Sequence, residues 1–184
     1  MLKKTISIGE LFCGPGGLGY AAKNLKIRHK NIIYKFRHIW ATDIDRDTCS
    51  TYKKNMKCNN VINMSIQDLF KDESTLKKLK KVDCLTFGFP CNDFSIIGKH
   101  IGLKGQYGPL YKYCVKAINY FEPDYFIAEN VTGIKSAGNK NAFPKIINSF
   151  KRAGKSGYIL KIHQFSFEEY EVPQKRKRII IVGV

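Results

Sequence analysis

Short apolar, β-branched runs alternate with amphipathic, lysine-bearing stretches along the whole chain. Few architectures accept that pattern, and the natural one is a series of βαβ units building a mostly parallel sheet flanked by helices. Strands are predicted over Thr5–Phe12, His38–Thr42, Val61–Met64, Val82–Phe87, Tyr125–Ala128, Tyr158–His163 and Ile179–Val182. Helices are predicted over Gly17–Leu25, Arg46–Asn55, Thr75–Lys80, Leu110–Phe121 and Phe143–Ala153. At 184 residues the chain suffices for one well-buried core, so a single α/β domain over 1–184 is expected. Residues 89–108 and 133–141 break the alternation with glycine and small polar residues and read as loops leaving strand ends. Ligands of open parallel sheets bind at such loops.

The balance of 32 Lys+Arg against 15 Asp+Glu gives a formal charge of +17, which favours a polyanionic partner and points to nucleic acid. Individual runs such as Lys77, Lys78, Lys80 and Lys81 carry no such message, since they also solvate a helix face. The six cysteines contain no Cys-x-x-Cys pair and the four histidines lack zinc-ligand spacing, so no metal site is expected. The opening residues break into Gly9 and Glu10 too early for a secretory signal, and no apolar run approaches the roughly 20 residues of a membrane span. A reduced, cytoplasmic protein is the expectation.

After the first strand, Gly14, Gly16 and Gly19 form Gly-x-Gly-x-x-Gly at the start of a helix. Glycines there let the backbone approach a ligand. The same spacing serves nicotinamide sites, other nucleoside cofactors and bare strand-to-helix turns. The second strand ends at Asp43-Ile44-Asp45. Asp43 stands where a carboxylate accepts hydrogen bonds from ribose hydroxyls, and Asp45 caps the helix that follows.

Three further features stand out. Pro90 leads directly into Cys91 on a loop, whereas Cys49, Cys84 and Cys114 fall on predicted elements and read as small core residues. The strand from Tyr125 is apolar until it delivers Glu129, and a buried acid is costly unless it is paired or used. Near the end, alternation in an extended segment would put Gln174, Arg176 and Arg178 on one face, able to grip a phosphate or a base carbonyl. A solvated basic cluster is the other reading of that run.

In this order, Phe-x-Gly-x-Gly-Gly, Asp-x-Asp, Pro-Cys, Glu-Asn-Val and Gln-x-Arg-x-Arg, the chain resembles the cytosine-5 DNA methyltransferases over essentially its whole length. Residues 102–110 look like that family's segment between the cysteine and acid motifs. The resemblance implies the Rossmann-like S-adenosylmethionine-dependent methyltransferase fold and double-stranded DNA as substrate, commonly in a restriction-modification system. It implies that Phe12 stacks on the cofactor adenine, that Gly14, Pro15, Gly16, Gly17 and Leu18 hold the methionine part, and that Asp43 binds the ribose. Ile44, Ser65, Ile66, Pro90 and Leu110 would complete the cofactor pocket. Cys91 would be the nucleophile, with Glu129, Arg176 and Arg178 as the other catalytic groups. Ser95 and Gln174 would join Arg176 and Arg178 in contacting nucleic acid.

Ser65 stands where the family often has an aspartate against the adenine amino group, with Asp68 as a substitute. Glu171 replaces a usual glycine, and Phe165-Ser166-Phe167 replaces a more polar triplet. Family members continue into a target-recognition region and a final cofactor-pocket segment. Neither lies in these 184 residues, so the chain is expected to be either a subunit of a split enzyme, with a second polypeptide carrying target recognition, or a shortened form of a longer one, the split enzyme being favoured. A cytosine-5 methyltransferase acting on transfer RNA and a non-catalytic nucleic-acid-binding subunit are the competing readings.

Overall fold

The computed structural model describes residues 1–90, 110–136 and 141–184. Two compact units divide the chain, 1–87 and 88–184.

In the first unit, β1 (Leu2–Leu11) begins exposed and ends with four consecutive buried residues. That is the pattern of a strand covered on both faces and flanked by parallel neighbours. Its neighbours are β3 (Ile32–Asp43) and β5 (Cys84–Gly88), both parallel to it. Outside β3 lies β2 (Lys26–His29), antiparallel, and a short β4 (Val61–Asn63) pairs with the end of β3. Helix α1 (Gly17–Asn24) follows β1, and α2 (Arg46–Met56) joins β3 to β4. The short α3 (Ile66–Leu69) and α4 (Glu73–Lys78) lead on to β5. Register between β1 and β3 shifts at Ile8/Gly9, where the indole of the fully buried Trp40 packs against Gly9 and gives its N–H to the Lys80 carbonyl at 2.8 Å.

The β2–β3 hairpin was not predicted. Lys26-Ile27-Arg28-His29 and Ile33-Tyr34-Lys35-Phe36-Arg37 alternate apolar and basic residues, a period-two signal hidden when only apolar runs are sought. Lys30, in the left-handed region, turns the chain between them.

The second unit has α5 (Tyr111–Phe121) and α6 (Ala142–Lys151), which each bury one stripe. In α5 it is Tyr111, Cys114, Ala117, Ile118 and Phe121; in α6 it is Ala142, Ile146 and Phe150. Its strands are β6 (Tyr125–Val131), β7 (Leu160–Ser166) and β8 (Lys177–Gly183). The expected parallel arrangement fails here, because β8 lies between β6 and β7 and is antiparallel to both. Only a 3-10 turn (Phe167–Tyr170) and a few residues separate β7 from β8, too little for the crossover that parallel pairing requires. Phe126, Phe150 and Tyr158 form its aromatic centre, with ring centroids 5.0 and 5.6 Å from Phe126.

Candidate functional site

The glycine loop of the first unit is shaped by three left-handed backbones, at Phe12, Gly14 and Gly16. Gly16 fits only without a side chain, since a Cβ there would lie 2.7 Å from Met56 and 3.1 Å from Tyr52 of α2. The loop is tied down by Cys13 N–H to the Thr42 carbonyl (3.1 Å) and by Gly14 N–H to Asp43 Oδ2 (2.8 Å). Asp43 Oδ1 accepts from Asp45 N–H at 3.0 Å, and Asp45 caps α2 as expected, accepting from Thr48 N–H at 2.8 Å. Asp43 thus braces the loop while each oxygen keeps a further lone pair.

The loop is open where a ligand would lie. Positions Gly14 and Gly17 face empty space, with nothing within 4 Å of a built Cβ. Gly16 offers no side-chain cap to α1, the first turn holds no acid, and the N–H groups of Gly17 and Leu18 have no acceptor among the described residues. Free N–H groups at a helix start suit a carboxylate. Phe12 and Leu18 are half-buried, Pro15 is exposed, and Ile44 stands 72 % exposed beside Asp43. Ser65 caps α3, its hydroxyl 2.6 Å from Asp68 Oδ2, so the serine presents the Asp68 carboxylate at that corner; Ile66 is buried behind it.

Beneath the loop lies a buried hydrogen-bond chain that the sequence analysis did not single out. Tyr52 Oη is 2.7 Å from Glu10 Oε2 and 3.0 Å from His38 Nδ1, and His38 Nε2 is 3.0 Å from the Gly19 carbonyl. The Gly19 N–H donates back to Glu10. A Cβ on Gly19 would fall 2.7 Å from that carboxyl, which is why the third glycine of the motif is needed. A carbonyl only accepts, so Nε2 carries the histidine proton, and the single phenol proton must serve two neighbours. With Glu10 ionised and Nδ1 bare, one contact has no donor; one added proton completes the chain. Burial pushes Glu10 up from 4.5 to about 7 and pushes His38 down, so the carboxyl holds that proton and Tyr52 donates on to Nδ1. The signal available in the sequence was an acid, Glu10, within the apolar end of the strand between Ile8 and Phe12.

A pH dependence follows. Between pH 4.5 and about 7 the folded chain keeps a proton at Glu10 that the unfolded chain has released, so this group's contribution to stability is full at low pH and is lost as pH rises through 7. The full shift corresponds to on the order of 3 kcal/mol. Glu10→Gln keeps a donor to Tyr52 and removes the titration. In urea unfolding at pH 5 and pH 8, wild type is expected to lose stability relative to this variant; parallel profiles would contradict the assignment.

In the second unit β6 and β8 bring two of the predicted residues together. Arg178 Nε lies 2.7 Å from Glu129 Oε1, both side chains about one-fifth exposed. Antiparallel register explains this, since Val131 pairs with Arg178 and Glu129 is two residues back on the same face. Asn130, buried on the opposite face, donates to the Phe89 carbonyl at 3.1 Å, anchoring the backbone one residue ahead of Pro90-Cys91. Leu110 is buried at the start of α5.

Gln174 does not lie on an extended segment with Arg178, whereas Arg176 continues the β7–β8 pairing, its carbonyl accepting from Phe167 N–H at 2.9 Å. The chain bends ahead of β8, with Gln174 N–H donating to the Val172 carbonyl at 2.7 Å, and Arg176 sits over the Phe167 ring at 5.9 Å with its N–H on Glu168. Glu171, in the left-handed region, ends the 3-10 turn before it, a conformation that glycine adopts freely. Cys91 and Ser95, and residues 102–109, lie outside the described residues.

The other five cysteines, Cys13, Cys49, Cys58, Cys84 and Cys114, are free and buried. Burial raises each of their thiols, that of Cys84 to about 12. Among the described residues no cluster of three or more His, Cys, Asp or Glu is placed to hold a metal ion, and no helix is long and apolar enough to cross a membrane.

The strand–glycine loop–helix unit belongs to an α/β fold that solved structures share. A putative DNA modification methyltransferase encoded within an Escherichia coli prophage superposes with a TM-score of 0.72 at 22% identity, covering 97% of this chain and 46% of that one. The Dnmt2 methyltransferase of S. pombe superposes with 0.66 at 19% identity, covering 98% and 49%. At these identities the likeness establishes the fold. Residues 6–184 match the C-5 cytosine-specific DNA methylase family, and the chain belongs to it. It is 48% identical to the Type II methyltransferase M.BbvI of Brevibacillus brevis over 96% of this chain and 48% of that protein. To M.NgoFVII of Neisseria gonorrhoeae it is 36% identical over 79% and 37%. The chain thus spans half or less of these relatives' length.

Proposed function

We propose that this chain is the catalytic part of a DNA cytosine-5 methyltransferase of a restriction-modification system, using S-adenosylmethionine. Target recognition and the rest of the cofactor pocket would lie outside these 184 residues. The observation that carries this reading is the Glu129–Arg178 pair, an acid and a two-headed donor held 2.7 Å apart. Such a pair suits the edge of a cytosine, where ring nitrogen, amino group and carbonyl lie side by side.

The first unit fits the cofactor. The open space over Gly14 and Gly17, the unpaired N–H groups of Gly17 and Leu18 and the braced carboxylate of Asp43 suit a molecule with a carboxylate at one end and a ribose further along. Phe12 and Ile44 would flank its adenine, with Ser65 and Asp68 toward the amino group. When bound there, S-adenosylmethionine supplies an electrophilic methyl group. Asp43→Ala removes both the loop tether and the ribose acceptor. It is expected to weaken S-adenosylmethionine binding about 10- to 100-fold by calorimetry, the equivalent of one or two hydrogen bonds to a charged group.

The target cytosine is flipped from the duplex at a cost of a few kcal/mol. Cys91 is the nucleophile; burial disfavours the thiolate at the other five cysteines. Its sulfur bonds to carbon 6 as the 5,6 double bond opens, while Glu129 gives a proton to the ring nitrogen and Arg178 donates to the base carbonyl. Carbon 5 thereby becomes electron-rich and takes the methyl group. Loss of its proton to a base and departure of Cys91 as thiolate restore the double bond, and the ring nitrogen returns its proton to Glu129. Arg176 and Gln174 contact backbone phosphate or support the cysteine loop, and Ser95 joins them on nucleic acid.

The test is transfer of labelled methyl groups from S-adenosylmethionine to mixed-sequence duplex DNA and to transfer RNA, by this chain alone and with the product of the adjacent reading frame. Label in DNA as 5-methylcytosine is expected; label confined to RNA would replace this reading with the RNA enzyme.

A further inference from the structure

The β2–β3 hairpin carries a feature that the catalytic reading does not use. Residues 1–42 contain eight Lys/Arg and a single acid, Glu10, which is buried. Five of those cations gather on one face. Along β3, Ile33, Lys35 and Arg37 point to the same side. Lys26 pairs with Lys35 and Arg28 with Ile33 across the hairpin, and Lys3 of β1 pairs with Ile33 from the other side. Side chains paired in register share a face, so Lys3, Lys26, Arg28, Lys35 and Arg37 form one basic field. All five are exposed, and none has an ion pair among the described residues. The acid at the field's inner end, Asp83, is taken up by the N–H and hydroxyl of Ser7, each at 2.7 Å. The opposite face of β3 turns His38 toward α1 and α2, so this field is the face away from them.

Like charges set side by side on a sheet repel and lower stability unless an anion neutralises them. Lysines also guard edge strands against aggregation. That role does not explain Lys35, which lies on a strand paired on both sides. Lys35 stands eight residues before Asp43, roughly 26 Å along the strand at about 3.3 Å per residue. The field is therefore separate from the cofactor loop.

We propose that this face is a second DNA contact, a phosphate-binding platform for duplex outside the methylated site, which holds the chain on DNA without reading sequence. It rests on the DNA reading above. Its chemistry is that of backbone neutralisation: several exposed cations, with the one acid beside them already held by Ser7.

The quadruple variant Lys26→Gln, Arg28→Gln, Lys35→Gln, Arg37→Gln in the full 184-residue chain tests this. Binding to mixed-sequence duplex is measured from 50 to 200 mM salt. Each phosphate contact contributes about 0.9 to the slope of log affinity on log salt, so the slope is expected to fall by about 3 to 4. S-adenosylmethionine binding and the thermal midpoint report whether the fold and the cofactor site survive, and both are expected to hold. A duplex-binding slope unchanged in a folded variant overturns the proposal. So does a loss seen with single-stranded RNA or anionic vesicles and not with duplex. Because binding is read without turnover, failure of methyl transfer bears on the catalytic reading alone.

Discussion

Cys91→Ala abolishes methyl transfer while leaving S-adenosylmethionine binding intact; this is the largest effect we expect of any single substitution. Removing a covalent nucleophile costs rate by factors of 10⁴ or more, roughly 5 kcal/mol or more of transition-state stabilisation. Initial rates of label incorporation measure it, with calorimetry of the cofactor as the control. Residual transfer above about one-hundredth of wild type would mean that the sulfur does not bond to the base. Cysteine at this place is not interchangeable with the others: Cys84 and Cys114 are sealed in the core, where a thiolate is disfavoured.

Glu129→Gln and Arg178→Ala come next, each expected to lower the rate about 10²- to 10⁴-fold, the range of a positioned acid–base group. Because the two side chains touch at 2.7 Å, their effects will not add. The double variant is expected to be little worse than the more damaged single variant. Strict additivity of the two losses would show that the pair does not act as a unit. Arg178→Lys is expected to behave more like Arg178→Ala than like wild type, since an ammonium cannot give two parallel hydrogen bonds. Calorimetric S-adenosylmethionine binding, unchanged in all of these, separates loss of chemistry from loss of cofactor.

Much of this was written in the chain. The Gly-x-Gly-x-x-Gly run placed the loop, and Asp43 was found at the end of its strand because a carboxylate following an apolar run is conspicuous. Glu129 and Arg178, 49 positions apart, were named separately, but their ion pair depends on β6 and β8 being antiparallel. The sequence pattern pointed to a mostly parallel sheet without saying which strands depart from it, as apolar runs state burial and not direction. Gln174 was misplaced because alternation assumes extended backbone, and the chain bends at that residue. The Glu10–Tyr52–His38 chain was out of reach for another reason. Its bonded pairs are 42 and 14 positions apart, and nothing local marks a tyrosine or histidine as a partner until β1, β3 and α2 are packed. The basic field was hidden likewise, since five cations on three strands share a face only once register is known.

The central claim is that Cys91 bonds to the cytosine that is methylated. The most direct measurement offers the chain, with S-adenosylmethionine and the adjacent reading frame's product, a duplex in which 5-fluorocytosine replaces cytosine. Fluorine cannot leave carbon 5 as a proton does, so the account predicts a protein–DNA adduct that survives denaturation and maps by mass spectrometry to Cys91. Label entering ordinary duplex with no adduct on the fluorinated one, or an adduct at another residue, would contradict it.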